Sequence, residues 1–235
     1  MQLTIVFRVL VIFTGILFCQ SIFAQVEPTK FFEDKFERNE SQELTEEIGQ
    51  GWFSNSANRA GGYKQVDLNK GVLHIQKKPK GKYAVNLKHA LNVKDARIQF
   101  NFEFASKKGA RFNFYDTQAK DKAISGHVCQ VRLDKNKIIL LDQMGGKFNV
   151  GFNNLDKQAQ KKLLAETTAS VPYQFVIGQW YEMIIEIQDS QLTAFINGEK
   201  IATLESIGIN HTNKTEFGFS VVDELKIKDI SFWQL

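Results

Sequence analysis

Apolar and polar residues alternate without a break from Ala96 to Phe104 in the segment Ala96–Ala105. Ile98, Phe100, Phe102 and Phe104 share one parity, and Arg97, Gln99, Asn101 and Glu103 the other. Period two places successive side chains on opposite faces of a strand, so this segment predicts a strand with a greasy side and a wet side. Burying its four large side chains is worth about 6–12 kcal/mol before entropy. Arg111–Tyr115 repeats the pattern, with Phe112 and Phe114 inward and Arg111, Asn113 and Tyr115 outward. His127–Asp134 does so again, with Cys129, Val131 and Leu133 inward and Gln130, Arg132 and Asp134 outward. Further strands are expected at Gly71–Gln76, Tyr83–Lys88, Lys137–Leu141, Lys147–Phe152, Tyr173–Ile177, Thr215–Val222 and Leu225–Trp233.

From Trp180 a strand, a short polar turn and a second strand lead to Asn197-Gly198 and a third strand. Asn and Gly accept the positive φ of a tight hairpin turn. Many short strands separated by Gly, Asn, Asp and Lys predict an all-β, two-sheet antiparallel jelly-roll sandwich. One segment departs from the pattern. Residues 154–165 are rich in helix formers and predict a short surface helix or long loop.

Residues 1–24 stand apart. Arg8 precedes the apolar run Val9–Phe18, and Ile22-Phe23-Ala24 ends on a small residue. This is the grammar of a secretory signal cleaved before Gln25. The run is too short for a membrane span, and bulky Phe18 before Cys19 argues against a lipid anchor there. The expectation is an exported protein, secreted or periplasmic, with one domain over residues 25–235. Cleavage would remove Arg8 and Cys19, lowering the formal charge from +4 to +3. So mild a charge gives no case for nucleic acid. Cys129 would then be the only cysteine, which excludes an intrachain disulfide and a cysteine zinc site.

The outward rows raise a functional possibility. If the three strands share a sheet, Asn101, Glu103, Arg111, Asn113, Tyr115 and Arg132 would form one polar face. Amides, carboxylates and guanidinium groups beside an aromatic ring suit a sugar, whose hydroxyls take hydrogen bonds and whose C–H faces stack. An ordinary solvated sheet face would show the same alternation. The four histidines have no metal-motif spacing. His127 follows Ser125-Gly126 at a strand entry and is the best placed of them for proton transfer. No paired-carboxylate strand motif, nucleophile elbow or phosphate loop occurs.

Several segments together carry a family likeness: Phe32-Glu-Asp-Lys-Phe-Glu-Arg38, Gly51-Trp52, Asn58–Leu68 with Arg59, Gly71-Val-Leu-His-Ile75, Ser125-Gly-His-Val-Cys129, Gly178-Gln-Trp-Tyr181 and Phe195–Ile201. The chain resembles secreted bacterial proteins of the concanavalin A-like (laminin G-like) sandwich superfamily, nearest the 3-keto-disaccharide hydrolase domain group. It departs from that group in its long Asn39–Gln50 opening and in the reduced segment Phe217-Gly-Phe-Ser220. The resemblance implies a glycan ligand and, for the hydrolase group, sugars oxidised at C3, whose carbonyl acidifies the neighbouring ring proton. A base can then start the cleavage without paired carboxylates. His127 would be that base or a metal ligand, Asp116 its orienter or a second ligand, and Arg111 and Arg59 would hold substrate oxygens. Sandwiches of this type often hold calcium through acidic and backbone oxygens, and Asp34 and Asp223 are the candidates for Ca²⁺ or another divalent metal. A non-catalytic glycan-binding module and a structural or adhesion domain are the alternatives.

Overall fold

A computed structural model describes residues 27–235, apart from Lys80 and Lys107. The leader expected over residues 1–24 lies outside the described residues. In chain order the strands are β1 (Thr29–Asp34), β2 (Phe53–Ser54), β3 (Val66–Asn69), β4 (Val72–Gln76) and β5 (Val85–Val93). Next come β6 (Ala96–Phe104), β7 (Ala110–Tyr115), β8 (His127–Asp134), β9 (Lys137–Asp142) and β10 (Thr168–Pro172). The last are β11 (Trp180–Gln188), β12 (Gln191–Ile196), β13 (Glu199–Glu205), β14 (Lys214–Val221) and β15 (Glu224–Gln234). One sheet, here the back sheet, runs β13-β12-β11-β6-β15-β4-β3, with β1 also paired to β15. The other, the cleft sheet, runs β10-β9-β8-β7-β14-β5-β2. Every pairing is antiparallel. This is the jelly-roll sandwich that the periodicity predicts.

The inward parity builds the core. Phe100 and Phe102 of β6 meet Phe112 of β7 at 4.9 and 6.2 Å between ring centroids, and Phe100 meets Phe219 of β14 at 5.3 Å. These edge-on pairs bridge the two sheets and add about 0.5–1.5 kcal/mol each beyond the area they bury. Cys129 lies in this core, and burial pushes its thiol pKa up to about 12, which leaves it an inert thiol. The Asn197-Gly198 hairpin joins β12 to β13 with φ of 51° and 80°. A helix, α2 (Lys157–Glu166), occupies the segment read as helix or loop, and Asp156 caps it by accepting from Ala159 N at 2.8 Å.

Two expected strands are corrected. Residues 147–151 run as turns with a single bridge from Asn149 to Ala123, and Phe152 opens a short 3-10 helix, because Gly145-Gly146 and Gly151 bend the chain on both sides. The strand expected at Tyr173–Ile177 lies earlier, at Thr168–Pro172, where it pairs with β9 as an edge. Pro172 fits an edge, which needs no donor on its solvent side. The aromatic signal at 173–177 comes instead from Phe175, which plugs the end of the sandwich against Phe102, Phe104 and Tyr181.

Candidate functional site

The solvent-facing side chains of the cleft sheet form three rows across neighbouring strands, and a bulge at Val128 lets His127 join them although it shares the parity of inward Cys129. The first holds Arg132, Arg111, Ser220 and Asn86; the second Leu141, Gln130, Asn113, Gly218 and Lys88; the third His127, Tyr115 and Glu216. A cavity of about 450 Å³ opens on these rows. Gln143, Lys147 and Phe148 from the turn after β9, with Leu164, Thr167 and Thr168 from α2 and the start of β10, wall its side. Asn113 and Gln130 are buried on its floor, joined by Gln130 Nε2 donating to Asn113 Oδ1 at 2.5 Å.

His127 sits at one end. The short turn Ile124–Gly126 delivers it, with Ser125 and Gly126 both at positive φ. A Cβ on Gly126 would lie 2.1 Å from the Asp116 carbonyl oxygen, so only glycine fits there. His127 Nδ1 donates to Gln143 Oε1 at 3.0 Å, which fixes the tautomer and leaves Nε2 with a free lone pair. The ring packs between Tyr115 (4.8 Å) and Phe148 (4.2 Å). Burial drives the imidazole pKa down to about 4, opposed by the Gln143 bond and aided by the Lys88 charge. It is therefore neutral at pH 7. Burial also raises the Tyr115 phenol well above its usual range, with Glu216 adding to the shift, so its hydroxyl keeps its proton.

Lys88 reaches this end by an unusual path. Its stem crosses the bare backbone of Gly218, where a Cβ would come 2.8 Å from Lys88 Cγ. The ammonium then lies 3.9 Å from the Tyr115 ring centroid and 2.7 Å from Glu216 Oε2. This cation–π contact holds a positive charge beside the imidazole.

The cleft thus gathers His127, Arg111, Asn113, Tyr115 and Arg132 from the expected set. Asn101 and Glu103 are elsewhere. Their strand β6 belongs to the back sheet, so the expectation of one shared polar face is corrected for these two. Glu103 pairs there with Lys226 at 2.8 Å, and Asn101 with Asp229 at 3.3 Å. Asp116 does not orient His127. It follows Tyr115 directly, so parity turns it away from the cleft, where Oδ2 binds His211 Nε2 at 2.6 Å. Gln143 does the orienting instead. Arg59, in the short helix α1 (Ser56–Arg59), lies outside the cavity wall with its guanidinium 4.6 Å from the Tyr83 ring centroid.

The calcium expectation is corrected on chemistry. Asp34 accepts from Arg38 Nη1 and Nη2 at 2.7 and 3.0 Å, Phe36 N at 2.8 Å and Trp52 Nε1 at 3.0 Å. A guanidinium stands where a cation would, and the carboxylate serves as a buried clamp. The Asp223 carboxylate faces Lys108 at 3.8 Å. Among the described residues no group of three or more His, Cys, Asp or Glu is suited to hold a metal.

Lys88, Gln143, Lys147 and Phe148 were missed as site residues. Lys88 has the right parity on a predicted strand and was findable there. The others lie on a turn without periodicity.

A family model described as the 3-keto-alpha-glucoside-1,2-lyase-like domain matches residues 40–230. The chain belongs to that family. No match is found among curated proteins. Solved structures similar to this 3-keto-alpha-glucoside-1,2-lyase-like domain include a mutant of SCLam, a non-specific endo-β-1,3(4)-glucanase of family GH16 (8% identity, TM-score 0.59, 90% of this chain and 96% of that one). The Bacillus licheniformis β-glucanase is another (9%, 0.56, 88% and 98%), and the laminarinase catalytic domain of Thermotoga maritima a third (10%, 0.54, 88% and 98%). A sialidase also matches, with 12% identity and a TM-score of 0.50 over 72% of this chain, which spans 16% of the sialidase's length. At such identities the likeness is one of fold alone: the two-sheet β-sandwich.

Proposed function

We propose that the cleft cleaves 3-keto-glycosides by elimination, with His127 as base. The observation that carries this reading is a neutral imidazole, locked with Nε2 unprotonated, on the cleft sheet of a chain in the 3-keto-alpha-glucoside-1,2-lyase-like family. A C3 ketone acidifies the proton on C2. Nε2 takes that proton, and the electron pair moves toward the C3 oxygen as an enolate. The Lys88 ammonium and Tyr115 hydroxyl lie beside His127 to steady that charge. The enolate then forms the C1=C2 double bond and expels the glycosidic oxygen from C1, which recovers the proton from the imidazolium. Water adding to the product would make the net reaction a hydrolysis. Asn113 and Gln130, farther along the cleft, hold ring hydroxyls. Export through the leader at residues 1–24 would place this chemistry outside the cytoplasm.

Incubating the purified protein with a 3-keto-glucoside, with and without chelator, tests the reading. Loss of substrate with appearance of an enone absorbance is expected; no turnover in either condition removes the enzyme. Glycan binding without turnover is the second reading. It is favoured by one observation, the weakness of a base whose pKa is about 4. Titration calorimetry that finds a tight sugar without product would select it.

A further inference from the structure

The two ends of the cleft differ in charge. His127 and Tyr115 stand at one end. Arg111 lies four strand residues from Tyr115, about 13 Å away, which is longer than one pyranose ring. Arg111 and Arg132 are directly opposite each other on β7 and β8. Like charges at facing positions destabilise a sheet, so folding gives no reason for the pair. Asp134 neutralises one member, gripping Arg132 Nε and Nη2 at 3.0 Å each. The Arg111 guanidinium has no hydrogen bond or ion pair among the described residues.

The cationic character continues past the cleft. A second cavity of about 340 Å³ shares Arg111 and Arg132 with the first and adds Lys135 and Lys108, the latter 3.8 Å from the Asp223 carboxylate, with Asp134 as the one carboxylate of its lining. The first cavity adds Lys147, and its one carboxylate, Asp142, turns away to Ser206 Oγ (2.6 Å) and the amides of Gly145 and Gly208 (2.7 and 2.9 Å). Ser220 and Asn86 extend the Arg111 row with neutral polar groups.

We infer that this end is a subsite for an oxyanion on the sugar ring distal to the one that reacts, so that the ligand is an acidic glycan bearing a carboxylate or a sulfate. The inference rests on the reading of the cleft as a sugar site and adds the substrate class. Arg111 supplies a planar fork that fits either group, and the neighbouring lysines supply attraction that salt screens.

Calorimetric titration of the whole protein tests it with three probes: a glucose disaccharide, the same disaccharide carrying a C6 carboxylate on its distal ring, and the same carrying a sulfate there. At low salt at least one acidic probe binds about ten- to hundredfold more tightly than the neutral one. The tighter of the two acids identifies the source of the oxyanion. The preference narrows as NaCl rises, and Arg111→Gln collapses it to near unity. The exposed double variant Lys108→Gln/Lys135→Gln, which leaves the core untouched, reduces it by a smaller factor. Equal binding of all three probes overturns the acidic subsite and leaves the sugar cleft standing. Binding of none overturns both. A preference that survives Arg111→Gln, or an oligonucleotide of equal charge that binds as tightly as the acidic sugar, overturns the inference alone.

Discussion

The outer face of the back sheet and the cleft face of the cleft sheet come from the same alternation, yet they solve charge differently. On the back sheet most polar side chains find a hydrogen-bonding partner on the next strand. Arg97 meets Glu186 at 2.7 Å, Gln99 meets Glu182 at 2.6 Å, Lys226 meets Glu103 at 2.8 Å and His74 meets Glu224 at 2.7 Å. Such a face is largely self-paired. On the cleft face Arg111 faces Arg132, an imidazole is half-buried and uncharged, and two amides bond to one another on the floor. Polar alternation therefore marks a wet face, and unmet pairing marks a working one.

Removing the base should break the comparison most. His127→Ala is expected to lower turnover of a 3-keto-glucoside by about 10²–10⁴-fold. Glu182→Gln, at the equivalent parity on the back sheet, should leave it unchanged. Steady-state kinetics on both variants, with matched melting curves, checks this; equal losses would show that fold integrity, not proton transfer, is being read.

Glycine positions separate the faces next. Gly126→Ala must clear a carbonyl oxygen 2.1 Å from the new methyl while keeping φ at 69°, so a loss of about 2–4 kcal/mol is expected. Gly198→Ala, in the back-sheet hairpin, has open space and only a positive φ to bear, so about 1 kcal/mol is expected. Urea denaturation of the two variants measures the difference.

The half-buried imidazole also predicts a pH slope. His127 has a folded pKa of about 4, below its unfolded value of about 6.5. Above pH 6.5 neither state binds the proton and the group has no effect. As pH falls from 6.5 to 4 the unfolded chain takes up a proton that the folded site refuses, so stability drops by about 2–3 kcal/mol. His127→Asn should lose that part of the slope in urea midpoints between pH 7 and pH 4.5. Catalysis should stay flat across neutral pH and fall only as the imidazole protonates near pH 4.

Much of the fold was legible. Strict alternation at Ala96–Phe104 told the buried residues from the exposed ones, and Asn197-Gly198 marked a hairpin; at Ala110–Tyr115 and His127–Asp134 it found the core-facing phenylalanines and Cys129, Val131 and Leu133, but not that Asn113, Tyr115 and Gln130 are buried too or that a bulge turns Val128 inward. Sheet membership was not legible, because alternation is identical whichever partner a strand finds. Asn101 and Glu103 were therefore grouped with Arg111 and Asn113, although β6 pairs with β11 and β15 and β7 with β8 and β14. Parity alone could have freed Asp116 from the cleft, since it adjoins Tyr115. Gln143 was out of reach: its position depends on how a glycine-rich turn closes, a matter of backbone dihedrals that composition does not encode.

The smallest effect is the sharpest control. Glu103→Gln removes one charge from the Lys226 pair on the back sheet, where the two side chains are 12% and 34% exposed. Partly solvated pairs of this kind contribute about 0.2–1 kcal/mol, and salt screens much of that. The amide can still accept a hydrogen bond from the ammonium, so the expected change is near the lower figure and shrinks further in high salt. Sugar affinity should not move, because Glu103 and the cleft lie on opposite faces of the sandwich. If Glu103→Gln weakened sugar binding as Arg111→Gln does, the division between a self-paired face and an unpaired one would fail, and the polar rows of both sheets would have to be treated as one surface again.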